Sequence, residues 1–213
     1  VPIRRKLYRF IWRIADLNPE KPIEIAGHKI LGIGPNRGGL NGLSLLMNTY
    51  EEDSSFMFRE FIDPGSNVID IGAHIGFYSL IAAEKVGPSG RVFAFEPEIE
   101  NYKWLKKNVD LNGYQNVKIV TKAVTEKSGS INLWIGNSSG SHSIYQNFSE
   151  TKGNNSNQNT QIVDTVSIDD FLESQGWPNI QVIKMDVEGA EKLAFEGMQE
   201  LFKRQEHLKI IFE

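Results

Sequence analysis

The stretch VIDIGAHIGFYS at residues 68–79 limits the possible folds more than any other part of the chain. Apolar residues surround Asp70, a composition typical of a buried strand that ends near a carboxylate. Gly72 and Gly76 follow, and the pattern then becomes helical. A strand, a glycine turn and a helix in this order form the βα unit of a parallel sheet, and such a turn offers backbone N–H groups to a ligand.

The rest of the chain repeats this alternation of strands and helices. The predicted strands cover residues 67–71, 91–96, 117–120, 180–186 and 208–213, and the predicted helices cover about 75–86, 98–112 and 190–204. This order predicts an α/β domain over residues 63–213, with a mostly parallel sheet in a three-layer sandwich. A β insertion at about residues 124–175 interrupts the order after the third strand and ends in a short helix capped by Ser167.

Composition narrows the class of protein. The chain has 213 residues, 40% hydrophobic and 23% charged, which is typical of one globular domain. A net charge of −4 gives no basic surface for nucleic acid, so no nucleic-acid partner is expected. The absence of cysteine excludes disulfides and thiolate metal sites. No apolar run approaches the roughly 18 residues of a membrane span, and no signal peptide is legible, so a cytoplasmic location is expected.

Residues 1–62 are interpreted as an N-terminal cap segment of helix and loop. Residues 1–16 predict an amphipathic helix that is rich in arginine and lysine, and residues 50–62 predict a second helix. The first helix has two interpretations. It either lies on an anionic membrane surface, as a peripheral contact, or packs its apolar stripe against the domain.

The spacing of the glycines indicates which ligand the turn binds. A dinucleotide site requires G-x-G-x-x-G, but His74 stands where the middle glycine would make room for a pyrophosphate. The observed D-x-G-x-x-x-G is typical of S-adenosylmethionine sites, in which the turn holds the methionine and ribose portions. Asp70 is then placed to orient the cofactor's amino group.

A second carboxylate supports a ligand that contains ribose. Glu96 ends the second predicted strand, where an acid bonds ribose hydroxyls in nicotinamide sites and in S-adenosylmethionine sites alike. Pro97 and Asn101 open the next helix and are assigned to the same cofactor site. Glu96 therefore indicates a nucleoside without deciding between the two cofactors.

The fourth strand leads into IKMDVEGAE, residues 183–191, which contains the candidate catalytic acids. Asp186 and Glu188 face the same crevice if the strand continues through them. They could orient an acceptor, act as a general base or bind a divalent cation, or Glu188 and Glu191 could simply favour a helix N-terminus. His142, in the insertion, is either a general base or an exposed loop residue. No metal site is assigned.

Taken together, these motifs resemble the FkbM family of S-adenosylmethionine-dependent methyltransferases. The matching segments are VIDIGAHIGFYS, FAFEPEIENYKWLKKNVDLNG, KAVTEKSGSINLW, TVSIDDF and IKMDVEGAE, in the family's order, over roughly residues 60–213. The resemblance implies the class I methyltransferase fold, a seven-stranded Rossmann-like sheet, and O-methylation of hydroxyls on sugars or natural products.

The resemblance also assigns site residues. It implies that the cofactor turn is lined by Asp70, Gly72, Ala73 and Gly76, that Glu96 holds the ribose, that Lys122 and Ala123 lie near the adenine, and that Asp186 and Glu188 face the methionine end and the acceptor. The sequence ends at IIFE, which matches the fifth strand, so the last strand pair of the fold is expected to be missing.

The sequence therefore predicts an S-adenosylmethionine-dependent methyltransferase that acts on a hydroxyl of a sugar, glycan, glycolipid or natural product. Asp186, Glu188 and His142 are its candidate catalytic residues, in that order. A non-catalytic S-adenosylmethionine-binding module and an NAD-dependent oxidoreductase are the alternatives. N-methylation would use the same cofactor site, and the acceptor and the oligomeric state are left open.

Overall fold

The structure, a computed structural model, describes residues 18–33, 52–136, 142–144 and 160–212. The predicted basic helix of residues 1–16 lies outside these ranges. In chain order, the strands are β1 (Ile23–Ile25), β2 (His28–Ile30), β3 (Asn67–Ile71), β4 (Arg91–Phe95), β5 (Val117–Val120), β6 (Ala123–Val124), β7 (Gly129–Trp134), β8 (Thr160–Val166), β9 (Ile180–Met185) and β10 (Lys209–Phe212). The helices are α1 (Glu52–Phe61), α2 (Phe77–Val86), α3 (Ile99–Leu111), α4 (Ile168–Ser174), α5 (Glu191–Glu196) and α6 (Gln199–Arg204).

A parallel sheet of five strands, in the order β10-β9-β3-β4-β5, forms the centre of the described chain. The chain runs from β3 outward to β5, and later from β9 outward to β10 on the other side. The strand order therefore reverses between β3 and β9, which is the point where open α/β sheets bind ligands. The predicted α/β fold with a mostly parallel sheet is confirmed.

The predicted insertion is also confirmed, and it forms a separate small sheet. Strand β8 lies in its centre, antiparallel to β7 and parallel to β6. Ser167 caps α4 as predicted, because its hydroxyl accepts a 3.0 Å hydrogen bond from the Asp170 amide. An isolated bridge between Trp134 and Ser143 extends the small sheet toward the carboxyl end of β9.

Two predicted helices differ from the observed ones. The helix predicted at 190–204 is two helices, α5 and α6, divided at Gly197 and Met198. A side chain at Gly197 would collide with the Thr125 carbonyl oxygen, and Asp169 caps α6 by accepting hydrogen bonds from two of its amides. The helix predicted from residue 75 begins at Phe77, because Gly76 adopts a left-handed φ of 99° at its N-cap.

Apolar side chains cover both faces of the central sheet. One cluster joins the sheet to α2, α3, α1 and the β1–β2 hairpin and includes Phe58, Val68 and Leu80, while the other joins it to α4, α5 and α6. The hairpin and α1 therefore share a core with the sheet, although the division of the chain at residue 62 stays a prediction. Within the described residues, no helix is long and apolar enough to cross a bilayer.

Candidate functional site

The carboxyl ends of β3, β4 and β9 bring together three predicted acids at the point where the strand order reverses. Asp70 lies near the end of β3, Glu96 directly follows β4, and Asp186 directly follows β9. The sequence separates them by up to 116 positions, but the parallel sheet places them on neighbouring strands. This edge of the sheet is the candidate functional site.

Asp70 is fully buried, and its side chain faces α2. Its Oδ2 accepts a 2.6 Å hydrogen bond from the Ser79 hydroxyl, and its Oδ1 has no hydrogen-bond partner among the described residues. Burial raises the pKa of Asp70 above its ordinary value, while the nearby Lys184 ammonium opposes that shift. In the structure, Asp70 therefore stabilises the first turn of α2 through its hydrogen bond to Ser79.

The glycines of the turn allow close approach by other parts of the protein. Gly72 has a φ of 82°, and a Cβ there would collide with the Asp186 carbonyl oxygen. A Cβ on Gly76 would lie 2.6 Å from Cδ1 of Leu105 in α3. Gly72 thus lets the end of β9 pack against the turn, and Gly76 lets α3 pack against the start of α2.

The turn amides are hydrogen-bonded within the protein, which corrects the expectation that they are free for a ligand. The amides of Gly72 and Ala73 both donate to the Phe95 carbonyl, at 3.0 and 2.9 Å. The Gly76 amide donates to the Ala73 carbonyl at 2.8 Å, and the His74 amide donates to Oε2 of Glu96 at 2.8 Å. These four amides are therefore not available to hold a pyrophosphate.

Glu96 is the most closely held carboxylate of the site, with only 5% of the residue exposed. Besides the bond from His74, it accepts a 3.0 Å bond from the Glu98 amide and a 3.4 Å bond from the Asn101 side-chain amide. Burial raises its pKa to about 7, although these hydrogen bonds favour the charged form. Asn101 thus contributes to the predicted site by fixing the carboxylate of Glu96.

Glu98 is a residue of this region that the sequence reasoning missed. Its side chain caps α3 by accepting hydrogen bonds from the amides of Glu100 and Asn101, at 3.0 and 2.7 Å. The helix therefore opens on Glu98, and Pro97 lies between the site carboxylate and that cap. Glutamate is not among the residues that N-caps favour, so no composition signal marked it.

The adenine end of the predicted site involves the insertion. Ala123 belongs to β6, is opposite Thr165 of β8, and packs in a small core with Leu133 and Val163. Lys122, directly before it, is half-buried. The assignment of both residues to the adenine stays a prediction.

The loop after β9 corrects the expected relation between Asp186 and Glu188. Strand β9 ends at Met185, so strand alternation does not place the two carboxylates on one face. Glu188 adopts a left-handed φ of 49° and is exposed. Gly189 follows with a φ of 94°, and its amide donates to the Glu191 carboxylate at 3.1 Å. Consecutive left-handed residues are uncommon, and strained backbone of this kind often lies at functional sites.

Asp186 is held on two sides. Its amide donates to the Ile71 carbonyl at 3.0 Å, and its carboxylate lies 3.3 Å from Nζ of Lys184, a buried residue that the sequence reasoning did not single out. About a quarter of its side chain, 28%, is exposed. Asp186 is therefore fixed at the edge of the crevice and still reachable.

Ser143 links the insertion to the acidic loop, and the sequence reasoning missed it as well. Its buried hydroxyl donates a 2.8 Å hydrogen bond to the Glu188 carbonyl, and its amide and carbonyl pair with Trp134. A serine among several in the insertion gave no signal of this contact. The bond brings His142 and Glu188 to the same region of the fold.

The hydrogen bonding of His142 disfavours its predicted role as a general base. Its Nδ1 accepts a 3.1 Å hydrogen bond from the Gly136 amide. A neutral ring then carries its proton on Nε2, so removal of a proton through Nδ1 would require that bond to break. The role of His142 as a general base stays a prediction.

In the part of the chain that the structure describes, no group of three or more histidine, aspartate or glutamate side chains is arranged to hold a metal ion. As described above, the site contains carboxylates at three strand ends, one buried lysine and a glycine turn.

Residues 70–213 match the family model of the methyltransferase FkbM domain. Among curated proteins, the hexuronic acid methyltransferase AglP of Haloferax volcanii is 26% identical over 190 residues, which cover 88% of this chain and 60% of AglP. The methyltransferase sdnD of Sordaria araneosa is 27% identical over 158 residues, which cover 62% of this chain and 60% of sdnD. The chain thus spans about 60% of the length of these two relatives.

Comparison with solved structures gives weaker matches. An rRNA methylase from Streptococcus thermophilus matches with a TM-score of 0.44 at 13% sequence identity, over 75% of this chain and 69% of that one.

Proposed function

Because the chain belongs to the FkbM methyltransferase family, whose model covers residues 70–213, we propose that it transfers a methyl group from S-adenosylmethionine to a hydroxyl oxygen. The membership confirms the family resemblance, and it supports the class of enzyme and the cofactor predicted from the sequence. The observation that carries the proposed site is the meeting of Asp70, Glu96 and Asp186 where the strand order reverses.

The chemistry of the site fits S-adenosylmethionine better than a dinucleotide. Carboxylates at the ends of β4 and β9 suit a ligand that carries ribose hydroxyls and positive charges, and they would repel a pyrophosphate. The turn amides that a pyrophosphate requires are already hydrogen-bonded to the protein. Glu96 would suit the ribose of either cofactor, but the occupied turn amides disfavour the nicotinamide alternative.

Glu96, Asp186 and Glu188 have distinct places in the proposed mechanism. S-adenosylmethionine, when bound, supplies a methyl group that its sulfonium already activates. Glu96 would hold the ribose hydroxyls, because its carboxylate is fixed beside the turn. Asp186 would orient the acceptor hydroxyl and accept its proton, because it is the acid that is both fixed and partly exposed. Glu188 is the second candidate, since its carboxylate is exposed.

We propose a sugar acid as the class of acceptor. The support is the similarity to AglP, whose name describes a hexuronic acid methyltransferase. The match covers 88% of this chain and 60% of AglP. The same site could also take a glycolipid that carries such a sugar. N-methylation would use the same cofactor site with an amine in the place of the sugar hydroxyl.

A transfer assay tests this function. Purified protein is incubated with S-adenosylmethionine labelled at the methyl carbon, together with glucuronic acid glycosides, neutral glycosides or amines as separate acceptors. We expect label on an oxygen of the uronic acid, and loss of transfer in Asp186→Asn. Formation of S-adenosylhomocysteine only with amines would contradict O-methylation, and binding without any transfer would favour the non-catalytic alternative.

A peripheral membrane contact through residues 1–16, in a cytoplasmic protein, is proposed on sequence grounds alone. Five basic side chains lie among apolar residues at helical spacing in this segment. Flotation with anionic and neutral liposomes at low and high salt tests it. Equal recovery with both lipids would contradict the contact.

A further inference from the structure

Lys184 is a buried lysine in the middle of the site, with 6% of the residue exposed. It lies on β9 directly opposite Asp70 of β3 in the parallel register. Both side chains point toward α2, because Val68 and Val182, two positions earlier on the two strands, pack in the cluster on that face. A lysine and an aspartate thus lie opposite each other near the ends of two adjacent strands, on a face that is otherwise apolar.

Lys184 forms an ion pair with Asp186 and lies opposite Asp70 in the strand register. Its Nζ lies 3.3 Å from the Asp186 carboxylate and 4.6 Å from the ring centroid of Tyr78 in α2. The Asp70 carboxylate is bonded on one oxygen to Ser79 of the same helix, and its other oxygen has no hydrogen-bond partner among the described residues. Lys184 is therefore paired directly with Asp186, and its positive charge also lowers the pKa of the Asp70 carboxyl on the neighbouring strand.

A buried lysine needs such a partner, because transferring an isolated ammonium group from water into a protein interior costs several kcal/mol. Asp70 needs one for the same reason. The strand on the other side of β3 offers no charge, since the residue opposite Asp70 on β4 is Ala94. Lys184 of β9, Asp186 directly after β9 and Ser79 of α2 are the charged and polar groups that act on Asp70.

We propose that Lys184 is a positioning residue, whose buried ammonium group is the shared counter-ion of Asp70 and Asp186 and fixes both carboxylates at the reversal point of the sheet. Its effect on ligand binding rests on the proposed cofactor site. Its effect on stability does not, so the two can fail separately. Lys184 has no proposed contact with the acceptor or the transferred methyl group.

The test uses Lys184→Met in the native background and in an Asp70→Asn background. Lys209→Met is the matched control, since Lys209 lies on the neighbouring strand β10 with the carbonyl and ring of Phe61 as its described contacts. The free energy of unfolding in urea is measured for each protein from pH 5 to pH 8.

We expect Lys184→Met to be more destabilising at pH 8 than at pH 5. Without its counter-ion, buried Asp70 holds a proton to a higher pH, so the folded variant loses stability as the pH rises through this range. In the Asp70→Asn background, this pH dependence should vanish. A loss that is the same at every pH in both backgrounds would overturn the inference.

Folding and ligand binding supply two further readouts. If Lys184→Met does not fold, the double variant with Asp70→Asn should fold, and failure of the double variant as well would overturn the inference. Calorimetry with S-adenosylhomocysteine should show affinity lowered at least tenfold by Lys184→Met and unchanged by Lys209→Met. Unchanged affinity in Lys184→Met would contradict the positioning role. Absence of binding to the native protein would instead contradict the proposed function, and the stability measurements would then decide the inference.

Discussion

The backbone amide of His74 donates a 2.8 Å hydrogen bond to Oε2 of Glu96, which joins the turn after β3 to the residue that ends β4. His74 has a left-handed φ of 53°, a conformation that histidine adopts more readily than most residues. The bond comes from the backbone of the turn and not from the histidine side chain. It fixes the position of the Glu96 carboxylate, the proposed ribose ligand, relative to the turn.

The raised pKa of Glu96 predicts a pH dependence of stability. Burial raises the pKa to about 7 from an ordinary value of 4.5, so the unfolded chain releases this proton at a lower pH than the folded protein. The contribution of Glu96 to stability is then fully present below pH 4.5 and is lost as the pH rises through 7. Relative to Glu96→Gln, the native protein should lose up to about 3 kcal/mol of unfolding free energy between pH 4.5 and pH 8. Parallel curves for the two proteins in urea titrations would contradict this.

Substitution at Gly72 should be costly for two separable reasons. Gly72→Ala places a Cβ against the Asp186 carbonyl and forces an alanine into a left-handed φ. Gly113→Ala is the matched control, because Gly113 has a similar φ of 74° but no atom within 4 Å of the added Cβ. The control should lose roughly 1 kcal/mol, and Gly72→Ala should lose roughly 1–3 kcal/mol more. Equal losses in thermal unfolding would show that β9 does not approach the turn as described.

The Ser143 hydroxyl should hold the insertion against the acidic loop. Ser143→Ala removes its bond to the Glu188 carbonyl and should cost about 1 kcal/mol. Hydrogen exchange at the Ser143 amide, which pairs with Trp134, should become faster. Ser174→Ala also removes a bond from a serine hydroxyl to a carbonyl, but within α4, and should leave that exchange rate unchanged. Equal exchange in both variants would contradict the link.

Asp169 should stabilise the start of α6 as a cap from another helix. Its carboxylate accepts bonds of 2.8 and 2.9 Å from the amides of Glu200 and Leu201, so Asp169→Ala should lose about 1 kcal/mol of unfolding free energy. Asp164→Ala changes an exposed aspartate of β8 and should have little effect. Losses of the same size in both variants would contradict the cap.

The sequence predicted the parts of the fold that local patterns determine. Buried strands such as residues 67–71 and the N-cap at Ser167 were found because apolar runs and capping residues have short-range signatures. The acids at strand ends, Glu96 and Asp186, followed from the order of strands and turns.

Contacts between segments that are distant in the chain could not be predicted from the sequence. The packing of Gly72 against the Asp186 carbonyl joins residues from two different strands, and the bond from Ser143 to Glu188 joins two separate loops. The start of α6 is capped by Asp169, which belongs to another helix. Lys184 was overlooked because a lysine within a strand normally indicates an exposed position, and only the sheet register reveals its partner Asp70.

The central claim is that the carboxyl ends of β3, β4 and β9 form an S-adenosylmethionine site, and calorimetric titration with S-adenosylhomocysteine tests it most directly. The same titration is run with NAD, and with Glu96→Ala as a second protein. We predict micromolar binding of S-adenosylhomocysteine alone, weakened at least tenfold by Glu96→Ala. Binding of NAD in its place, or affinity for S-adenosylhomocysteine that Glu96→Ala leaves unchanged, would contradict the claim.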